Sequence, residues 1–298
     1  MIIDIDKNSG YCFGVTNAVK TAEQYLSNHG SLYCLGDIVH NDAELKRLSK
    51  LGLTEITYDE FKNLSYCTVL IRAHGEPPET YQIADQNNIK LIDATCPVVL
   101  NLQRKIKNNY SDHPDLQVVI AGKQGHAEVV GLLGQTQNNG IVISKMEDLD
   151  QIDYHKPSCL YAQTTFNIDT FKLFISEMQQ RYHNLGNDHL FTFQDSICKQ
   201  VSHRKKAITK FVENYDLVLF VSGEKSSNGQ QLFQECKSYN PNTVFVSSNE
   251  IFDQISLDGI NSIGICGATS TPMWLMEETK MALFKKLKKD HQLDDSMQ

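Results

Sequence analysis

No CxxC pair occurs anywhere in the 298 residues, and the closest two of the eight cysteines stand 22 positions apart. That removes zinc ribbons, thioredoxin-like redox motifs and the clustered ferredoxin pattern. Positive charge is also short: 28 Lys and Arg face 36 Asp and Glu, for a formal net charge of −8. A general electrostatic grip on nucleic acid or anionic lipid is therefore disfavoured, and an anionic ligand must be held by local groups against the overall field. No apolar run approaches a membrane span. The stretch MIIDIDKNSG carries acids inside its short apolar segment and no basic leader, which argues against a secretory signal and for a cytoplasmic protein. No GxGxxG follows a strand and opens a helix. SGEKSS departs from a P-loop because Glu224 precedes Lys225 where glycine is required, so a nucleotide site has little support. Low-complexity segments and clear linkers are missing too.

What is present is an ordinary globular composition, 41% apolar and 21% charged, long enough for two or three small domains. Short apolar runs rich in β-branched and aromatic residues (SLYCLGD, YCTVLIRAHG, DLQVVIAGK, SCLYAQTT, DLVLFVSG and SIGICGA) alternate with helical patterns such as TNAVKTAEQYLSNHG, PVVLNLQRKIKNNY and IDTFKLFISEMQQRY. That alternation predicts βαβ units and parallel sheets. The six runs fall into three pairs, each ending in polar, small-residue loops. The expected division is a first lobe over 1–95, including the N-terminal strand and Cys12, a second over 96–197, a third over 198–289, and a polar, frayed tail over 290–298. In open parallel sheets ligands bind beyond the carboxyl ends of the strands, so three such edges facing one centre would gather all six loops.

The cysteines divide by context. Cys34, Cys67, Cys159 and Cys266 lie in apolar strand-like runs and Cys236 in a helical one; free cysteine in such places is a small buried apolar residue. Cys12, Cys96 and Cys198 each stand where a helical pattern begins. There the helix dipole and free backbone N–H groups favour a thiolate. Three such thiolates suit a shared metal centre, although three unrelated loop cysteines fit the spacing equally well.

The loops also carry chemistry. His40, His74 and His126 follow strand-like runs, close to Gly36, Gly75, Gly122 and Gly125; a lone loop histidine is usually a solvated residue, but three at equivalent strand ends suit an anion. Ser226-Ser227-Asn228-Gly229 and Thr269-Ser270-Thr271 place hydroxyls and an amide at helix starts. Capping needs one such residue per helix, and the surplus suits a cradle for an anion. Glu128 is either a dipole partner for its own helix or an acid near a reacting oxygen; spacing does not decide. His203-Arg204-Lys205-Lys206 reads as a solvated helix face.

Taken in order, nine strings resemble the LytB family, the 4-hydroxy-3-methylbut-2-enyl diphosphate reductases of the non-mevalonate isoprenoid pathway. They are Gly10-Tyr-Cys12-Phe-Gly14, Asp37-Ile-Val-His40-Asn41, Arg72-Ala-His74-Gly75, Asp93-Ala-Thr-Cys96-Pro97, Gly122-Lys-Gln-Gly-His126-Ala-Glu128, Gln163-Thr164-Thr165, Asp195-Ser-Ile-Cys198, Ser226-Ser-Asn228 and Ser270-Thr-Pro272. The resemblance implies three similar α/β lobes in pseudo-threefold arrangement around a central iron–sulfur cluster. It implies one [4Fe–4S] cluster per chain, held by Cys12, Cys96 and Cys198, with one iron open to the substrate's allylic oxygen. The implied reaction is reductive dehydroxylation to isopentenyl and dimethylallyl diphosphate, with electrons from a ferredoxin or flavodoxin type of donor. Glu128 matches the proton-delivering glutamate. His40, His74, His126, Ser226, Ser227, Asn228 and Ser270 match the diphosphate site, and Thr164, next to Thr165, matches a threonine near the substrate hydroxyl. Two runs depart from the family pattern: Val201-Ser202-His203-Arg204-Lys205 stands for Thr-Thr-Asn-Arg-Gln, and Gly267-Ala268-Thr269 for Ala-Gly-Ala.

Overall fold

Short runs of β-branched and aromatic residues become twelve strands among the described residues. They are β1 (Ile2–Ile5), β2 (Leu32–Leu35), β3 (Leu53–Ile56), β4 (Thr68–Ile71), β5 (Lys90–Asp93), β6 (Gln117–Ala121), β7 (Ile141–Ile143), β8 (Ser158–Ala162), β9 (Phe191–Phe193), β10 (Leu217–Val221), β11 (Thr243–Val246) and β12 (Ser262–Gly267). The computed structural model describes residues 1–248, 251–252 and 255–296, with the side chains of Ser227 and of 289–296 outside that description. The strands form three four-stranded sheets, in the orders β3-β2-β4-β5, β7-β6-β8-β9 and β1-β12-β10-β11. Every strand pair is parallel. The expected α/β class with parallel sheets is what the chain adopts, in three lobes.

The six strands expected from the apolar runs are the two central strands of each sheet. They are buried on both faces, and β8 and β10 have no exposed residue. One expectation needs correction. The N-terminal strand, grouped by sequence with residues 1–95, pairs in parallel with β12 from Ile2↔Ser262 to Ile5↔Ile265. A four-residue strand cannot hold itself, and β12 is the partner with a free edge. A second concerns the tail: the last helix runs Met273–Ser296, because nothing in the polar stretch after 289 breaks a helix.

Residues 1–16, 39–50 and 203–298 form one compact unit, which holds the sheet β1-β12-β10-β11; residues 17–38 and 51–202 form another, which holds the other two sheets. Within the second unit the helix Ile168–Asn184 shows why the layers form. Asn167 caps it by accepting hydrogen bonds from the N–H groups of Asp169 and Thr170, both at 2.9 Å. Phe171, Phe174, Met178 and Tyr182 then recur at helical spacing and bury one stripe against β6 and β8 through Val119, Ala121, Leu160 and Ala162. Leu102, Ile106, Val129 and Leu132 cover the opposite face of the same sheet. In the first unit Ile3, Leu217, Leu219, Ile263, Ile265 and Met276 pack on one face, and Ile208, Val212, Phe220 and Leu232 on the other. Two covered faces are what a parallel sheet requires.

Phe174 is fully buried and stacks on Phe166, with ring centroids 5.9 Å apart. Phe174→Ala is expected to cost about 3–5 kcal/mol of stability through the cavity it leaves, read as a lowered midpoint in chemical denaturation with an unchanged slope.

Candidate functional site

In the second unit β6 and β8 are neighbours with Ala121 opposite Ala162, so the loops that follow them leave the sheet at one level. Gly122 turns the first loop where there is no space for a side chain: a Cβ there would sit 2.6 Å from Val129 Cγ2. The two loops are joined by Gln163, whose Oε1 accepts a hydrogen bond from Lys123 N at 3.1 Å. His126 caps the helix Ala127–Gly134, its Nδ1 accepting from Glu128 N at 3.2 Å. An accepting Nδ1 assigns the proton of a neutral ring to Nε2. The His74 ring lies edge-on to it, with centroids 5.3 Å apart.

Glu128 is 2% exposed and Thr164 5%. Thr164 gives the carboxyl two hydrogen bonds, from its N–H to Oε1 at 2.6 Å and from its hydroxyl to Oε2 at 2.9 Å. Burial raises the Glu128 pKa to about 7, and the two bonds from Thr164 hold it from rising further. The alternative left open by spacing is thereby narrowed. The carboxyl is turned to the neighbouring strand's loop and is poised to hold or give up a proton near neutrality. Thr165 is separate, its hydroxyl accepting from Gln163 Nε2 at 3.0 Å.

Thr164 also reaches the third cysteine: its carbonyl accepts from Cys198 N at 2.8 Å. The Cys198 carbonyl in turn takes the N–H groups of Val201 and Ser202 as the helix Lys199–Val212 begins. Cys96 precedes the helix Pro97–Asp112, with proline in the first turn, and its N–H donates to Ala73 O at 3.0 Å, beside His74. Both residues are half-buried, and neither forms a disulfide.

The first unit repeats this construction. Val221 of β10 lies opposite Gly267 of β12, and the loops after them are tied by Ser226 and Ser270, whose hydroxyl oxygens are 3.0 Å apart. Ser226 spends one more contact on capping, accepting from Gly229 N at 3.1 Å. Asn228 Nδ2 donates to Thr269 Oγ1 at 2.8 Å. The side chain of Ser227 lies outside the described ones. Cys12 N donates to Thr269 O at 3.3 Å, and the helix Phe13–His29 follows, with Thr16 N bonded to Cys12 O at 2.9 Å. His40 is half-buried and its carbonyl lies against Gly223, where a Cβ would come within 2.3 Å of it.

Two functional supports were missed by sequence reasoning. Arg204, taken with a solvated basic face, turns inward and donates from its guanidinium to the carbonyl of Gly10, two residues before Cys12. Burial lowers its pKa, while Cys12 and Asp6 oppose that shift. Glu44, on the helix Asp42–Lys50, is 1% exposed. It accepts from Arg47 Nε at 2.8 Å and from Trp274 Nε1 at 2.8 Å. Burial alone would raise its pKa, but hydrogen bonds from Arg47, Trp274 and Tyr11 outweigh that and hold it below the usual range. Arg47 at i+3 was the only local signal for Glu44, and neither support could be found without knowing which loops are neighbours.

Burial marks out three of the remaining cysteines. Burial pushes Cys34 up to about 12 and raises Cys67 and Cys266, making them poor thiolates. Cys12, Cys96 and Cys198 are the ones at helix starts and are partly exposed, and each thiol is a soft donor of the kind that iron–sulfur clusters take.

Fold and loops together define an α/β protein of parallel sheets with thiols at three helix starts and hydroxyl- and histidine-bearing loops at strand ends. The LytB protein family model matches residues 3–284, and the chain belongs to that family. A 4-hydroxy-3-methylbut-2-enyl diphosphate reductase of Bacteroides fragilis is 50% identical over 289 residues, covering 96% of this chain and 99% of that protein. Among solved structures, the E-1-hydroxy-2-methyl-but-2-enyl-4-diphosphate reductase of Plasmodium falciparum aligns with a TM-score of 0.81 at 25% identity, covering 93% of this chain and 86% of that one. A second, an (E)-4-hydroxy-3-methyl-but-2-enyl diphosphate reductase described as the terminal enzyme of the non-mevalonate pathway, aligns at 0.72 and 32% identity, covering 96% and 100%. No helix among the described residues is long and apolar enough to cross a membrane.

Two outcomes follow from the geometry. Glu128 has a folded-state pKa raised from 4.5 to about 7, so its burial costs nothing below the lower value and progressively more as pH rises toward the upper one. The melting temperature of Glu128→Gln relative to wild type should therefore rise between about pH 5 and pH 8, the full effect being at most about 3 kcal/mol; a difference flat in pH would contradict a sealed carboxyl. Gly223→Ala should displace the His40 backbone and raise the KM for substrate about tenfold with little loss of kcat, since roughly 1.4 kcal/mol of binding is at stake. Steady-state kinetics separate the two parameters.

Proposed function

We propose that the chain is a 4-hydroxy-3-methylbut-2-enyl diphosphate reductase, acting in the cytoplasm as the last step of non-mevalonate isoprenoid synthesis. Cys12, Cys96 and Cys198 would hold one [4Fe–4S] cluster, which supplies electrons and Lewis acidity toward the substrate's hydroxyl when bound. His40, His74, His126, Ser226, Ser227, Asn228 and Ser270 bind the diphosphate. The net charge of −8 makes neutral donors and histidine N–H groups the means of holding it, and helix starts at Ser226 and His126 add backbone donors. Thr164 orients the hydroxyl end of the substrate. Glu128 gives up a proton as that hydroxyl leaves as water. The overall change takes two electrons and two protons and yields isopentenyl or dimethylallyl diphosphate plus water. An external ferredoxin or flavodoxin type of carrier supplies the electrons.

Support comes chiefly from Thr164. One residue touches the buried carboxyl of Glu128 through its N–H and hydroxyl and the backbone of Cys198 through its carbonyl. A proton store near neutrality and the backbone of a cysteine at a helix start are thus held by a single residue. Such an arrangement serves a reaction in which electrons and a proton arrive at one oxygen.

The reading is tested by iron and sulfide counts and an electron paramagnetic resonance spectrum on protein purified without air. Cys96→Ser should lose most of its iron and Cys236→Ser should keep it. Glu128→Gln should keep cluster and substrate binding but lose on the order of 10²–10⁴ in turnover. A wild-type sample that stays colourless and iron-free after reconstitution would leave only a diphosphate-binding protein.

A further inference from the structure

The helix Lys199–Val212 begins at the residue after Cys198 and contains no acidic residue. Its inner face buries Ile208, Thr209 and Val212. Arg204 turns inward to Gly10, and Lys205 pairs with Glu235 at 3.2 Å. Exposed on the outside, besides Gln200, are the basic residues Lys199, His203, Lys206 and Lys210. Their spacings of four, three and four residues put them on one stripe of the helix, about 16 Å long at 1.5 Å per residue. No ion pair involving Lys199, Lys206 or Lys210 occurs among the described residues. Lys206 and Lys210, four residues apart, repel each other, and the helix carries no acidic side chain to pair with them. A concentrated positive stripe of this kind stands out on a chain whose net charge is −8.

We propose that this stripe is the docking surface for the acidic protein that delivers electrons; the inference rests on the reductase reading above. Charge complementarity selects the partner. A compact acidic protein can meet the stripe alone, whereas an extended polyanion such as nucleic acid or an anionic membrane also meets the field of the whole acidic chain. Steered contact of this sort gives fast, weak encounters that suit a carrier which must leave after each transfer. Each reduced ferredoxin gives one electron and departs oxidised, so two dockings serve one product. The stripe starts where the third cysteine ends, so a carrier seated there lies on the helix that Cys198 opens.

The test uses the reconstituted holoenzyme, an acidic [2Fe–2S] ferredoxin as probe, and the variants Lys206→Glu/Lys210→Glu and Lys206→Gln/Lys210→Gln. Circular dichroism and iron content check that both fold and load. The glutamate pair is expected to raise the KM for reduced ferredoxin by about tenfold or more and the glutamine pair by less, while turnover driven by dithionite and methyl viologen stays at the wild-type rate. Ferredoxin affinity of the wild type, read by calorimetry without turnover, should fall as salt rises from about 0.02 to 0.3 M, and the variants should lose most of that dependence. An unchanged ferredoxin KM in the glutamate pair, or salt-independent wild-type affinity, overturns the proposal. So does loss of duplex DNA or anionic vesicle binding in the variants with ferredoxin kinetics intact, which would assign the stripe to another class of partner. Failure of dithionite-driven turnover in the wild type counts instead against the reductase reading, and the calorimetric arm still decides whether the stripe binds ferredoxin.

Discussion

A carboxyl group sealed from water must be given either donors or a proton, and in this protein both demands fall on the pairing of Glu128 with Thr164. Two hydrogen bonds from one residue, at 2.6 and 2.9 Å, compensate part of the desolvation, and the remainder appears as a pKa raised to about 7. Much else in the second unit serves to hold that pair. Ala121 and Ala162 lie opposite each other so that the two loops leave the sheet together. Gln163 ties those loops, Gly122 lets Val129 come close, and Ser196 anchors the end of β8, its hydroxyl lying 2.7 Å from Ala162 N and 2.8 Å from Ala162 O. The Thr164 carbonyl then carries the same rigidity to Cys198. A carboxyl kept from water needs this kind of over-determination, because a loose one would be solvated and would ionise.

The first unit solves a different problem with the same layout. On a chain with eight excess negative charges, its loops carry hydroxyls, an amide and helix-start N–H groups, with Lys225 the cation of the loop after β10. Ser226 and Ser270 are bonded to each other, so the two loops act as one surface. Behind them Glu44 joins the helix Asp42–Lys50, which follows His40, to Trp274 near the start of the helix that follows Ser270. A buried anion satisfied by Arg47 and two ring donors is an expensive device, and removing one partner strands the others. It links the helix after His40 to the helix after Ser270.

The two departures from the family pattern acquire physical content here. Thr269, standing where alanine is usual, accepts from Asn228 through its hydroxyl and from Cys12 N through its carbonyl. It therefore couples the amide of the cradle to the first cysteine. In the run after Cys198, Arg204 keeps an inward role on Gly10, while His203 and Lys206 on either side face solvent. One short basic string is thus divided between a structural clamp and an exposed surface, a division that follows from helical geometry and not from composition.

By itself the sequence determined the central architecture and the inventory of chemistry. β2, β4, β6, β8, β10 and β12 read as strands because they are covered on both faces and so are continuously apolar. The edge strands LTEI, KLID, IVI, FTF and TVFV are short, several with polar or exposed positions, and no period distinguishes them from loops. Cysteines at helix starts, histidines after strands and Glu128 beside His126 were also legible, since each follows from a local junction. Pairing was not. That β1 joins β12, that Thr164 rather than Thr165 meets Glu128, that Arg204 turns inward and that Glu44 is buried were decided only in three dimensions. Hydrogen bonds between loops some 40 to 260 residues apart depend on which strands lie side by side, and local sequence carries no term for that.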